Sequence, residues 1–113
     1  MFSFERNERE GATVLSLQGN LDAATAAGLK QEVIAIADTK KLKVAVDLAQ
    51  LTLIDSTGVG VLISLFKRVR ALGGAVHFAG LVAQPKEIFR LLRLDRSLDL
   101  SPTLEDALGK LKG

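Results

Sequence analysis

The sequence has no cysteine, tryptophan or tyrosine, a single histidine and two prolines. Without a thiol there can be no disulfide, thiolate nucleophile, zinc finger or iron–sulfur cluster. A metal site would have to be built from carboxylates, and a serine-histidine-aspartate triad would have His77 as its one available base. The aromatic complement is five phenylalanines, so the stacking platform of a single-strand nucleic-acid binder is missing. Charge does not replace it: 15 cations against 13 anions leave a net +2, and like charges cluster no further than pairs such as Lys40-Lys41, which steers little toward nucleic acid. No apolar run approaches the roughly 20 residues that cross a bilayer, and Met1 to Glu10 carries charges where a signal peptide needs an apolar stretch. The expectation is a cytoplasmic protein with no direct nucleic-acid contact, no membrane insertion, no metal and no cofactor.

What remains is ordinary globular material. With 113 residues, 48% hydrophobic and 25% charged, residues 1–113 have the size of a single domain with its own core. Phe2 to Arg6 and Thr13 to Leu17 alternate apolar and polar around the turn residue Gly11, which predicts an antiparallel hairpin. Asp22 suits the N-cap of a helix carrying Ala26, Leu29, Val33, Ile36 and Ala37 at helical spacing. Lys43 to Leu48 is short and largely apolar, as a strand buried on both faces requires, and Leu51 to Ile54 reads as an apolar connection.

A second helix opens at Asp55 to Gly58, with Val59, Leu62, Ile63, Phe66, Val69 and Leu72 along one stripe. Lys67, Arg68 and Arg70 complement its dipole and Gly73-Gly74 stops it. A strand at Ala75 to Ala79, a helix from Gln84 to Leu94, a short strand at Leu98 to Leu100 and a helix capped by Ser101 with Pro102 at its first position complete the chain. The order β-β-α-β-α-β-α-β-α defines an α/β fold, with a mixed, mostly parallel sheet of four to five strands and helices packed against it. In such a sheet the loops leaving the carboxyl ends of parallel strands gather on one edge. Gly19 to Asp22, Leu51 to Ser56 and Gly80 to Ala83 should therefore be neighbours.

Asp55-Ser56-Thr57-Gly58-Val59-Gly60 is the segment with chemical character. Two hydroxyls sit beside a carboxylate at a helix start, where unpaired backbone N–H groups favour an anion. Gly58 and Gly60 each cost about 1 kcal/mol relative to alanine in a helix. Two readings account for them: a capping hydroxyl from Ser56 or Thr57 with glycines that permit tight helix-to-sheet packing, or glycines that let another molecule's backbone approach. The segment lacks the Gly-Lys-Ser/Thr end of a phosphate loop, the third glycine of a dinucleotide fingerprint, where Ile63 stands, and the glycine two places before the serine of a hydrolase elbow, where Ile54 stands.

These residues resemble a known family. Val46-Asp47-Leu48 followed by Leu53-Ile54-Asp55-Ser56-Thr57-Gly58-Val59-Gly60-Val61-Leu62, with Gly19-Asn20-Leu21-Asp22 before and Gly73-Gly74 after, is similar to the STAS domain of bacterial anti-sigma factor antagonists over nearly the whole chain. Departures are Asn20 where a charged residue is usual, Ala49 where serine is common, and Leu94 where glycine often precedes the last strand. The resemblance implies a switch without catalytic activity. Family members bind an anti-sigma factor that is also a serine kinase, a GHKL-type ATPase, and so release a sigma factor. Phosphorylation of the serine matching Ser56 ends binding, and a PP2C-type phosphatase restores it. The implied partner-binding residues are Asp22, Asp55, Ser56, Thr57, Gly58 and Gly60. The alternative is a constitutive subunit of the same fold in a membrane transporter or other signalling complex. A third reading, a small nucleotide- or phosphate-binding enzyme, is disfavoured by the absent phosphate loop. With no obvious apolar surface patch, a monomer is the default.

Overall fold

Alternation makes Phe2–Arg9 a strand, β1, with Phe2 and Phe4 half-buried and their neighbours exposed. The chain turns at Glu10 and Gly11, which have φ of 54° and 81°, the positive-φ pair of a two-residue hairpin loop. The returning strand β2, Ala12–Leu21, pairs antiparallel with β1 from Phe2 opposite Gly19 to Arg9 opposite Ala12. The computed structural model describes residues 1–40 and 42–112; Lys41 and Gly113 lie outside the described residues.

Beyond the hairpin follow α1 (Ala26–Asp38), β3 (Lys43–Ile54), α2 (Ser56–Ala71), β4 (Ala75–Ala79), α3 (Ala83–Leu91), α4 (Leu94–Ser97), β5 (Asp99–Ser101) and α5 (Leu104–Lys112). The five strands form one sheet in the order β1-β2-β3-β4-β5. Only β1 and β2 are antiparallel, and the other three neighbour pairs are parallel. This is the expected mixed, mostly parallel α/β sheet.

Both faces of the central strands are covered. On one, Leu15, Leu17, Val46 and Phe78 pack with Leu29 and Ile36 of α1, Leu62 and Leu65 of α2 and Phe89 of α3; the rings of Phe78 and Phe89 meet edge-on at 6.2 Å. On the other, Ala12, Val14, Ala45 and Ala79 present small side chains to Ala107, Leu108 and Leu111 of α5, which lets that helix lie close. Burying each large side chain contributes about 1.5–3 kcal/mol. Double burial explains why Val44 to Val46 is an unbroken apolar run.

Several boundaries differ from expectation. Gly19 to Leu21 and Leu51 to Ile54 are not connections but strand: Gly19 pairs Leu51, Asn20 pairs Leu53 and Leu21 pairs Ile54, across a register irregularity. Pairing between the two strands outweighs the turn signal of Gly19-Asn20 and the exposed polar Gln50 and Thr52. Helix α1 starts at Ala26 with Thr25 in the cap position, so Asp22 organises the turn ahead of the helix rather than its first turn. In α2, Val61 and Leu65 are buried besides Val59, Leu62 and Val69, whereas Leu72 is exposed, because α2 packs against α1 as well as the sheet. Helix α3 ends at Leu91: Arg93, at φ 58°, breaks the run, and α4 then turns Leu94 into the core. Ser101 belongs to β5. The capping role falls to Thr103, whose Oγ1 accepts from the Asp106 N–H at 3.1 Å.

Candidate functional site

The joint between β3 and α2 is set by Asp55. Its backbone is still extended (φ −109°, ψ −175°), and its carboxylate Oδ1 accepts from the Gly58 N–H at 2.9 Å. The second oxygen, Oδ2, accepts from the Ala23 N–H at 3.1 Å, and the Asp55 N–H donates to the Leu21 carbonyl at 3.1 Å. One side chain thus caps the helix and ties it to the segment leaving β2. The cap is Asp55, not Ser56 or Thr57. Ser56 is the first helical residue, and both hydroxyl residues are exposed; neither oxygen is consumed in holding the helix start.

The two glycines have separate explanations. Gly58 is buried, and a Cβ there would lie 2.7 Å from Leu21 Cγ, 2.8 Å from the Leu21 carbonyl oxygen and 2.9 Å from Ile54 Cγ1. Its missing side chain serves contact with the ends of β2 and β3, which corrects the idea that it opens the surface to another backbone. Gly60 is exposed with nothing within 4 Å of a built Cβ, so an approaching backbone would meet open space there.

Asp22 stands at the adjoining loop. Its Oδ1 accepts from the N–H groups of Ala24 (3.0 Å) and Thr25 (3.2 Å), while its own N–H donates to Thr25 Oγ1 at 3.0 Å. The carboxylate therefore braces the loop that supplies Ala23 to Asp55. Asp22, Asp55 and Thr57 are brought to one edge, together with Ser56 and Gly60, as the topology required.

Gln84 is a site residue that sequence reasoning missed. Its carboxamide accepts from the Ile54 N–H at 2.9 Å and donates to the Ile54 carbonyl at 3.0 Å, copying a neighbouring strand where β4, whose pairing stops at Asp47–Ala79, no longer reaches β3. A lone glutamine near a helix start carries no sequence signal for this. Leu53 (49% exposed) and Val82 (50%) are uncovered apolar residues on the same edge; their signal was apolar character within segments read as connections. A shallow depression of about 250 Å³ between Asn20, Asp22, Leu53, Asp55 and Gln84 marks the meeting point. A larger groove of about 430 Å³ runs between α1 and α2 past Ala23, Ala27, Thr57, Gly60 and Ser64 to Arg68.

The remaining candidates lie elsewhere. His77 is in β4, in register with Ala45 and Asp99, and its Nδ1 is buried without a hydrogen-bond partner. Burial holds its pKa below the usual 6.5, against the attraction of Asp99 and with the help of Lys110. It has no place beside Ser56. Arg68 donates to Ser64 Oγ at 3.1 Å, Arg70 sits 5.3 Å from the Phe66 ring centroid, and Arg90 pairs with Glu87; these are surface contacts of their own helices. Among the described residues no helix is long and apolar enough to cross a membrane, and no three or more His, Asp or Glu side chains gather to hold a metal ion.

The chain is thus an α/β domain whose sheet has one antiparallel hairpin and helices on both faces, with an exposed serine following the Asp55 cap at the β3–α2 joint. The STAS domain family model matches residues 3–107, and the chain belongs to that family. A curated relative is the anti-sigma-F factor antagonist RsfB of Mycobacterium tuberculosis, 28% identical over 109 residues that cover 94% of this chain and 86% of that protein. An anti-sigma factor antagonist from Mycobacterium paratuberculosis has the same fold, with a TM-score of 0.92 at 23% identity over 100% of this chain and 96% of that one. So does the Bacillus cell fate determinant SpoIIAA in its phosphorylated form, with a TM-score of 0.74 at 16% identity over 96% and 98% of the two chains.

Proposed function

We propose that this chain is an anti-sigma factor antagonist that works by binding rather than by catalysis, and that Ser56 is its phosphorylation switch. The observation that carries the reading is the exposed Ser56 at the first position of α2, its hydroxyl unused by the cap, beside an Asp55 carboxylate whose two oxygens are both tied down. Unmodified, the edge formed by Asp22, Asp55, Ser56, Thr57 and Gly60 docks on an anti-sigma factor and displaces the sigma factor. Gly58 contributes from beneath, by letting α2 seat against Leu21 and Ile54. The exposed Leu53 and Val82 supply apolar contact at the rim.

Phosphorylation adds about −1.5 to −2 charges to this edge. The repulsion from Asp55 is the same in the free and the bound chain, so the switch acts where docking brings an acidic group of the partner within roughly 6 Å of the phosphate: about −2 and −1 with an effective dielectric near 20 then repel by about 5 kcal/mol before screening, a cost present in the complex alone. An equilibrium moves from 99:1 to 1:99 with about 5.5 kcal/mol, so a local charge change is of sufficient size and no refolding is needed. The kinase in this scheme is the anti-sigma factor itself, a GHKL-type ATPase, and a PP2C-type phosphatase resets the switch. The naming of RsfB as an anti-sigma-F factor antagonist and the phosphorylated form of SpoIIAA support the assignment.

The test measures affinity of wild type, Ser56→Ala and Ser56→Asp for the anti-sigma factor of the same organism. Alanine should keep binding and resist the kinase; aspartate should weaken binding. Equal affinity of all three, with no phosphate transferred to the wild type, defeats the reading. Recovery with a membrane transporter irrespective of phosphate would replace it with the transporter-subunit alternative.

A further inference from the structure

We propose that the outer edge of β1 is a self-recognition surface on which two copies of the chain pair antiparallel about Asn7, joining two five-stranded sheets into one of ten. The strand is the terminal member of the sheet, and among the described residues its one paired strand is β2. Its register with β2 runs through eight consecutive pairs without a bulge, and it contains no proline, so its outward N–H and C=O groups form a regular template. Edges of this kind are ordinarily blunted by bulges, prolines or charge. Here only charge is used, and the charges are arranged so that one register is favoured.

From Glu5 the strand reads Glu-Arg-Asn-Glu-Arg, all five residues exposed. A two-fold axis normal to the sheet through Asn7 places Glu5 of each copy opposite Arg9 of the other and Arg6 opposite Glu8, four pairs of opposite sign with Asn7 facing Asn7. Moving the axis by one residue sets Arg6 against Arg6, or Glu8 against Glu8. Such an axis preserves the faces of the sheet, as side-chain alternation requires.

The intrachain contacts fix those faces. Arg6 is held by Glu32 of α1 at 3.0 Å and Glu8 accepts from Thr13 Oγ1 at 2.7 Å, whereas Arg9 reaches Glu105 of α5 at 3.2 Å. Two of the pairs therefore form on the α1 side and two on the α5 side. Because these side chains already have local partners, the new pairs chiefly select the register, and affinity comes from the backbone ladder. The dimer is weak and concentration-dependent, as small interfaces are. It replaces the monomer expected from the sequence and is independent of the proposed switch.

The experiment is sedimentation equilibrium of the purified chain up to about 1 mM, the weak end of specific association. Wild type should show a monomer–dimer equilibrium that weakens with salt. Glu5→Arg alone and Arg9→Glu alone each turn two attractive pairs repulsive and should raise the dissociation constant about tenfold. An equimolar mixture of these two variants restores opposite signs at both pairs and should return wild-type association as a heterodimer, as should the double variant with itself. Circular dichroism melts confirm that each variant folds. A wild type that stays monomeric throughout, single variants that associate like wild type, or a mixture that fails to recover overturns the proposal.

Discussion

Replacing Gly58 and Gly60 separately with alanine distinguishes packing from helix propensity within one turn of α2. Propensity alone stabilises both variants by about 1 kcal/mol. At Gly58, however, the new methyl lies 2.7–2.9 Å from Leu21 and Ile54, one of the contacts being the Leu21 carbonyl oxygen, so β2 or α2 must shift. Because one of these contacts is backbone and cannot swing aside, the cost lies in the upper part of the range for overpacking, about 2–3 kcal/mol. The net expectation for Gly58→Ala is a loss of about 1–2 kcal/mol, or a fall in Tm of about 5–15 °C for a domain of this size. At Gly60 the methyl meets nothing within 4 Å, and Gly60→Ala should gain about 0.5–1 kcal/mol. Urea unfolding followed by circular dichroism gives both numbers. A Gly58→Ala protein as stable as wild type refutes the close-packing argument. Affinity for the anti-sigma factor adds a second readout: if Gly60 admits the partner's backbone, Gly60→Ala binds less tightly although it is more stable.

Asp55→Ala removes the α2 cap and the bond to Ala23, and should cost about 1–2 kcal/mol; Asp55→Asn, which keeps one acceptor oxygen of the two, should fall between, as read by denaturant midpoints. Gln84→Glu leaves the Ile54 carbonyl facing a carboxylate and should lose about 1–3 kcal/mol at neutral pH, with hydrogen exchange rising at the end of β3. His77 has a folded-state pKa below its ordinary 6.5, so the unfolded chain takes up the proton more readily. Stability should therefore fall as pH drops from about 7 to 5.5. His77→Gln should lose less stability over that interval, and an identical loss in both proteins contradicts the assignment.

The hairpin, the buried central strand and β4 could be read in the sequence because period and composition agree there. Gly19 to Leu21 and Leu51 to Ile54 could not, since their strand character comes from pairing with each other. Leu92-Arg93-Leu94 carries no helix breaker; only the left-handed backbone at Arg93, a conformation unfavourable to a residue with a Cβ, ends α3. At the site, the serine and its acidic neighbour were visible as residue types, whereas the cap was expected from the hydroxyl of Ser56 or Thr57 and not from Asp55. Geometry assigns it to Asp55 because that carboxylate alone reaches both Gly58 and Ala23. Gln84 acts through a contact 30 residues away, which no local pattern encodes.

The most direct test of the switch is calorimetric titration of the anti-sigma factor with the unmodified chain and with chain phosphorylated at Ser56 alone, at physiological salt. The predicted result is tight binding of the unmodified form and a loss of about a hundredfold or more on phosphorylation, equivalent to about 2.7 kcal/mol of the unscreened repulsion. Equal affinity of the two forms would contradict the account.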